Sequence, residues 1–132
     1  VIGVEQLKKL PSFLEYRRKN AELFVSLFEN HKDFYIQKNI DNSSWFGFSF
    51  ILKPESTLDR ADIVKKLEAN QIDCRPIVTG DFTKNEVLKH FDYEIFGEMK
   101  NAHYLDKKGF FVGNHQVDLT KEIHHLFDVL QF

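Results

Sequence analysis

The chain has 132 residues, a length that fits one compact domain able to bury roughly two thirds of its unfolded surface. Eighteen lysines and arginines against 20 aspartates and glutamates give a formal charge of −2, which argues against a nucleic-acid binder, since that needs a clustered basic face. No apolar run approaches the ~20 residues of a membrane span, and no signal peptide is visible. Fourteen phenylalanines supply much of the core. The single cysteine, Cys74, sits in an apolar stretch and reads as a reduced, buried thiol of a cytoplasmic protein. The first residue is Val1 rather than Met, which predicts a piece of a longer protein, although a removed Met gives the same start.

Glu5 to Leu10 predicts a short helix. Pro11 suits the first turn of a second helix, where its missing N–H is no loss. Phe13, Leu14, Ala21, Phe24, Val25, Leu27 and Phe28 form an apolar stripe from Ser12 to Asn30, with Arg17, Arg18, Lys19 and Glu22 on the wet side. Phe34-Tyr35-Ile36 is a short extended piece within a loop. Ser44 to Leu52 is aromatic and β-branched and stops at Lys53-Pro54, which predicts a strand. Asp59 to Ala69 predicts a helix, with Asn70 placed to take the left-handed position that closes it. Ile72 to Val78 reads as the next strand. A long connection, Thr83 to Glu98, holds a helical turn around Asn85 to His90. A short helix, Lys100 to Lys107, leads to a third strand, Phe110 to Val112. Thr120, or Asp118 before it, caps a last helix with Ile123, Leu126, Phe127 and Leu130 inward. The order predicts an α/β (α+β) domain: a three-stranded sheet, antiparallel or mixed, with helices covering one face.

Two strand exits carry the candidate chemistry. Arg75 ends one buried run, where a guanidinium can hold a carboxylate or phosphate with two parallel hydrogen bonds. Its ordinary alternative is pairing with Asp73 or Asp62. Gly80-Asp81 permits a tight turn and a short carboxylate facing a ligand, while composition alone favours an Asx-type turn. Thr79 and Phe82 shape the same loop. Asn114-His115 follows Gly113, and both side chains suit sugar hydroxyls or, equally, a loop that bonds its own backbone. His124-His125 has poor metal spacing and reads as structural or solvated. His31, His90 and His103 form no pattern. Trp45-Phe46-Gly47-Phe48 faintly echoes the aromatic strand of RNA-recognition domains. It reads better as core, with Gly47 admitting a close neighbour. No glycine-rich phosphate loop and no nucleophile signature occurs, and no residue is predicted to be catalytic or metal-binding.

Taken in order, several segments together resemble the C-terminal domain of the DegT/DnrJ/StrS family. They are Glu5–Leu10 with Arg17–Ala21, Trp45–Phe48, Asp59–Leu67, Ile72–Pro76, Asn101-Ala102, Gly109–His115 and Leu119–Ile123. These are pyridoxal phosphate (PLP)-dependent enzymes acting on nucleotide-linked keto sugars. SWFGF and RPIVTGDF look closest to the sugar 3-dehydrase branch, although Gly80-Asp81 stands where that branch has Gly-Asn. The resemblance implies the small domain of a fold-type I PLP enzyme, one domain over 1–132. Arg75, Thr79, Asp81, Phe82, Asn114 and His115 would line the substrate side. It implies that PLP is bound mainly by a large domain outside this chain, which also holds the lysine or histidine that decides between transamination and dehydration, so no cofactor-binding residue is expected here. It further implies a nucleotide-sugar substrate, a homodimeric parent, a role in surface (lipo)polysaccharide biosynthesis and an inactive isolated domain. The alternative is a free-standing ligand-binding or interaction domain without catalytic activity.

Overall fold

The computed structural model describes residues 2–132; the abrupt start at Val1 lies outside them. Helix α1 (Ile2–Leu7) runs almost directly into α2 (Leu10–Phe28), with Pro11 in the first turn of α2. Strands β1 (Phe34–Ile36) and β2 (Gly47–Leu52) follow, then α3 (Arg60–Ala69) and β3 (Cys74–Arg75). Two 3-10 turns (Phe82–Lys84 and Glu86–His90) precede α4 (Lys100–Lys108), β4 (Gly109–Gly113) and α5 (Thr120–Val129).

The sheet has four strands, not three, in the order β1-β2-β4-β3, with every pair antiparallel. The extra strand is Phe34-Tyr35-Ile36, which lies on β2 from Phe34 opposite Leu52 to Ile36 opposite Phe50. Beyond Ile36 a side chain continues the ladder. The Gln37 amide donates to the Gly47 carbonyl at 3.0 Å and accepts from the Ser49 N–H at 3.0 Å.

Alternation along the strands sets two faces. Phe48, Phe50, Leu52, Phe110 and Val112 point inward, onto Phe24 and Phe28 of α2, Ile63 and Leu67 of α3, and Ile123 and Leu126 of α5. The Phe24 ring stacks on Phe48 at 4.4 Å and Phe50 on Phe110 at 5.1 Å. Each fully buried phenylalanine contributes about 1.5–3 kcal/mol, and each well-set ring pair roughly 1 kcal/mol more. Tyr35, Ser49, Ile51, Phe111 and Arg75 share the outer face by register.

Several boundaries differ from the sequence reading, each for a local reason. The Ser44–Leu52 strand starts only at Gly47, because Trp45 adopts φ 35 and turns the chain. Its indole is buried and donates to Asn39 Oδ1 at 3.1 Å. The expected Ile72–Val78 strand pairs only at Cys74 and Arg75; Pro76 lacks a donor for the ladder and Val78 takes φ 50. Asp59 caps α3 as expected, accepting from the Ala61 N–H at 2.7 Å. The left-handed residue after α3 is Gln71 (φ 62), not Asn70. It closes a Schellman motif: Ile72 N–H donates to Leu67 O and Gln71 N–H to Glu68 O, both at 3.0 Å. At α5, the Asp118 carboxylate accepts from the Thr120 N–H at 2.9 Å.

Candidate functional site

Antiparallel pairing sends the two candidate exits to opposite ends of the sheet. Arg75 lies opposite Phe111 and Cys74 opposite Val112, so the chain leaving Arg75 runs toward Gly109 while the chain leaving Gly113 runs the other way. Gly109 has no room for a side chain, since a Cβ would sit 2.6 Å from the Leu105 carbonyl, and Ile77 Cδ1 stands 2.7 Å away on the loop that follows Arg75. Asp81 therefore belongs with α4, and Asn114 with α2 and Trp45. The structure does not gather the six predicted residues into one cluster.

At the Gly109 end, Arg75 is exposed, and its suggested partner Asp62 lies instead 3.7 Å from Lys65. Val78 protrudes at 84% exposure with φ 50, a conformation that costs a β-branched residue about 1–3 kcal/mol. Thr79 is exposed, and Gly80 (φ +62) lies so close to the Asp106 carboxylate that a Cβ there would collide with it. Asp81 is only 3% exposed and accepts from the Thr83 N–H at 3.1 Å and the Thr83 hydroxyl at 2.6 Å. This is the Asx-type turn. The second carboxylate oxygen takes His103 Nδ1 of α4, with Lys84 Nζ at 3.5 Å. The Thr83 hydroxyl first, then the imidazole, hold the Asp81 carboxyl below its usual value, so it is a carboxylate at neutral pH. Phe82 is half exposed beside it.

At the Gly113 end, Asn114 is 8% exposed and donates to the carbonyls of Arg17 at 3.0 Å and Trp45 at 3.1 Å. Its own oxygen accepts from Asn20 at 3.1 Å. Asn20, also buried, donates to Val117 O at 2.8 Å and accepts from the Leu119 N–H at 3.1 Å. Two amides thus join α2, the Trp45 turn and the entry to α5. Arg17 is not simply solvated as expected: it donates to the carbonyls of Trp45 and Phe46, both at 3.1 Å. His115 remains exposed, its carbonyl accepting from Asn20 at 3.2 Å.

A groove of about 300 Å³ on the outer sheet face draws on both ends. Gln37, Phe46, Gly47, Ser49, Ile77, Val78 and Phe111 line it. Phe46, expected in the core, is 79% exposed and stands 6.1 Å from the Phe111 ring. A Cβ on Gly47 would meet Val112 O at 2.7 Å, so this glycine does admit a close neighbour. Arg75 shares the face through its pairing with Phe111. The arrangement can hold a flat or apolar group against two rings and an anionic group on the exposed Arg75 guanidinium.

The described residues hold no buried lysine and no cluster of three metal-ligating side chains. Burial pushes the partly exposed Cys74 thiol above its ordinary value, so it is no ready nucleophile. His125 donates to Asn70 O at 3.2 Å, a structural role. No helix among the described residues is long and apolar enough to cross a membrane.

Two contributors escaped the sequence reading. His103 meets Asp81 across 22 residues, which no local pattern announces. Asn20 carried a usable signal: it lies four residues before Phe24, on the stripe that faces the core.

Comparison with known proteins gives the same frame. The chain is 59% identical over 131 residues to the GDP-4-keto-6-deoxy-D-mannose 3-dehydratase of Yersinia pseudotuberculosis, covering 98% of this chain and 33% of the relative. It superposes with TM-score 0.95 and 53% identity on the E. coli GDP-4-keto-6-deoxy-D-mannose-3-dehydratase solved with bound hydrated PLP, again covering 98% of this chain and 34% of the other. A sugar aminotransferase from Micromonospora echinospora shares the fold at TM-score 0.75 with 11% identity, over 98% of this chain and 33% of the other. The chain thus spans about a third of the length of the curated relatives it matches. The family profile covers residues 1–130, nearly every element described above, and the chain belongs to the DegT/DnrJ/EryC1/StrS aminotransferase family.

Proposed function

We propose that this chain is the small domain of a PLP-dependent 3-dehydratase acting on a nucleotide-linked 4-keto-6-deoxy sugar, working in surface polysaccharide biosynthesis. The observation that carries the reading is the identity to a GDP-4-keto-6-deoxy-D-mannose 3-dehydratase over nearly the whole chain, against a low identity to a sugar aminotransferase of the same fold. PLP supplies an electron sink when bound, and on this reading it is held mainly by the rest of the parent protein. This chain's part is binding and orientation. Arg75 takes an anionic group of the substrate, with Thr79 and Phe82 on the neighbouring loop and His115 at the opposite end. Asp81 and Asn114 hold the backbone that presents them. The parent is a cytoplasmic homodimer, and the isolated domain is inactive.

The test uses the full-length protein with GDP-4-keto-6-deoxy-D-mannose, PLP and glutamate as the amino donor that supplies the reducing equivalents, reading loss of the C3 hydroxyl by mass spectrometry. Turnover supports the reading; a 4-amino product instead moves it to transamination. In the same protein, Arg75→Ala weakens substrate use by about tenfold while PLP absorbance is unchanged. Equal loss of both counts against Arg75 as a substrate group.

A further inference from the structure

The Gly109-end loop is held by a set of contacts that all run to one helix. His103 and Asp106 lie three residues apart on α4, hence on one face of it. His103 Nδ1–H donates to the buried Asp81 carboxylate, and Asp106 takes Lys84 Nζ at 2.8 Å. Gly80 sits against that same Asp106 carboxylate, in a space no side chain could share. Arg60 of α3 donates to the Asp106 carbonyl at 2.7 Å, which ties α4 to the rest of the domain. Between this anchorage and the sheet, the chain carries the strained, protruding Val78, then Thr79, with Arg75 at the strand end. A β-branched residue persists at positive φ only where its surroundings over-determine the backbone. The α4 contacts are that constraint.

We propose that His103 is a positioning residue: through Asp81 it fixes the 76–84 loop on α4 and so sets the Arg75–Thr79 segment for the substrate. Ionised Asp81 orients the imidazole with its Nδ1 proton inward, and the half-exposed ring leaves Nε2 free of the latch. The substrate half of this inference rests on the function proposed above; the latch itself does not.

The experiment compares full-length wild type, His103→Ala and His103→Asn, whose amide can replace the Nδ1 donor. Hydrogen exchange reads the latch, and steady-state kinetics reads its use. Expected for His103→Ala is exchange of residues 76–84 faster by about tenfold, KM for the nucleotide sugar raised about tenfold, and kcat within about twofold. His103→Asn recovers most of both. Unchanged exchange in His103→Ala, or no recovery in His103→Asn, overturns the latch. Faster exchange with unchanged KM overturns the positioning role. A wild-type protein that does not turn over the sugar overturns the functional reading alone, because the exchange result still decides the latch.

Discussion

The two ends of the sheet use similar polar residues for different work. At the Gly113 end, Asn20 and Asn114 are buried, fully engaged and far apart in sequence, so they weld α2 to the sheet and to α5. At the Gly109 end, Asp81 is as buried, yet its partners Thr83, Lys84 and His103 stand on a loop and a helix that contribute no buried hydrophobic residue. The first network belongs to the stability of the whole domain. The second sets one loop. Buried polar side chains next to a candidate site can therefore do either job, and the depth of the elements they join decides which.

Substitutions can break that contrast. Asn114→Leu carries the largest expected effect: it removes the side-chain donor from the Arg17 carbonyl, one of the two donors to the Trp45 carbonyl and the amide link to Asn20, destabilising the domain by about 3 kcal/mol in urea or thermal unfolding. A loss below about 1 kcal/mol would deny the weld. Gly80→Ala comes next, at about 2 kcal/mol, from positive φ and the collision with Asp106. Its damage stays local, so exchange quickens at 76–84 while α2 and α5 keep their protection. Val78→Asn goes the other way. Asparagine tolerates the left-handed region, so stability rises by about 1 kcal/mol, and a fall would mean that the exposed valine makes contacts worth more than its strain.

The smallest effect is a pH dependence belonging to neither end. His31 is buried beside Phe28 and Phe34, and burial pushes its imidazole below the ordinary value. The unfolded chain then binds the proton more readily, so stability is full above about pH 6.5 and declines as pH falls through that value. Thermal unfolding between pH 8 and 5 should slope in the wild type and flatten in His31→Leu. Asp81 titrates far lower: its depressed carboxyl adds stability above the usual aspartate value, which is lost only as pH falls below it.

The helices were legible because their signals are local. The Phe24–Phe28 stripe, Pro11 and the Asp59 cap each act within a turn or two. Strand limits were less so: what ends β3 is the backbone at Pro76 and Val78, and what begins β2 is a positive φ at Trp45. The placing of the two strand exits was not legible for a different reason. Both exits look alike in sequence, a short apolar run closing on glycine and polar residues. Only strand direction, set by pairing across some 40 residues, reveals that they leave the sheet at opposite ends. Asp81 and Asn114 read as substrate-lining from their types, and their partners His103, Arg17 and Asn20, which decide what they do, lie beyond the reach of local pattern.

The Gln37 side chain has a bearing on how the molecule behaves in a crowd. Strand β1 covers only the Phe50–Leu52 half of β2, which would leave the Gly47–Ser49 stretch as an open template for another chain. The Gln37 amide occupies the Gly47 carbonyl and the Ser49 N–H on that side, acting as a one-residue substitute for a missing strand. With the aromatic groove alongside, an unsealed edge would combine free backbone with exposed rings, the ingredients of edge-to-edge association. Gln37 is thus a guard against polymerisation as much as a structural brace.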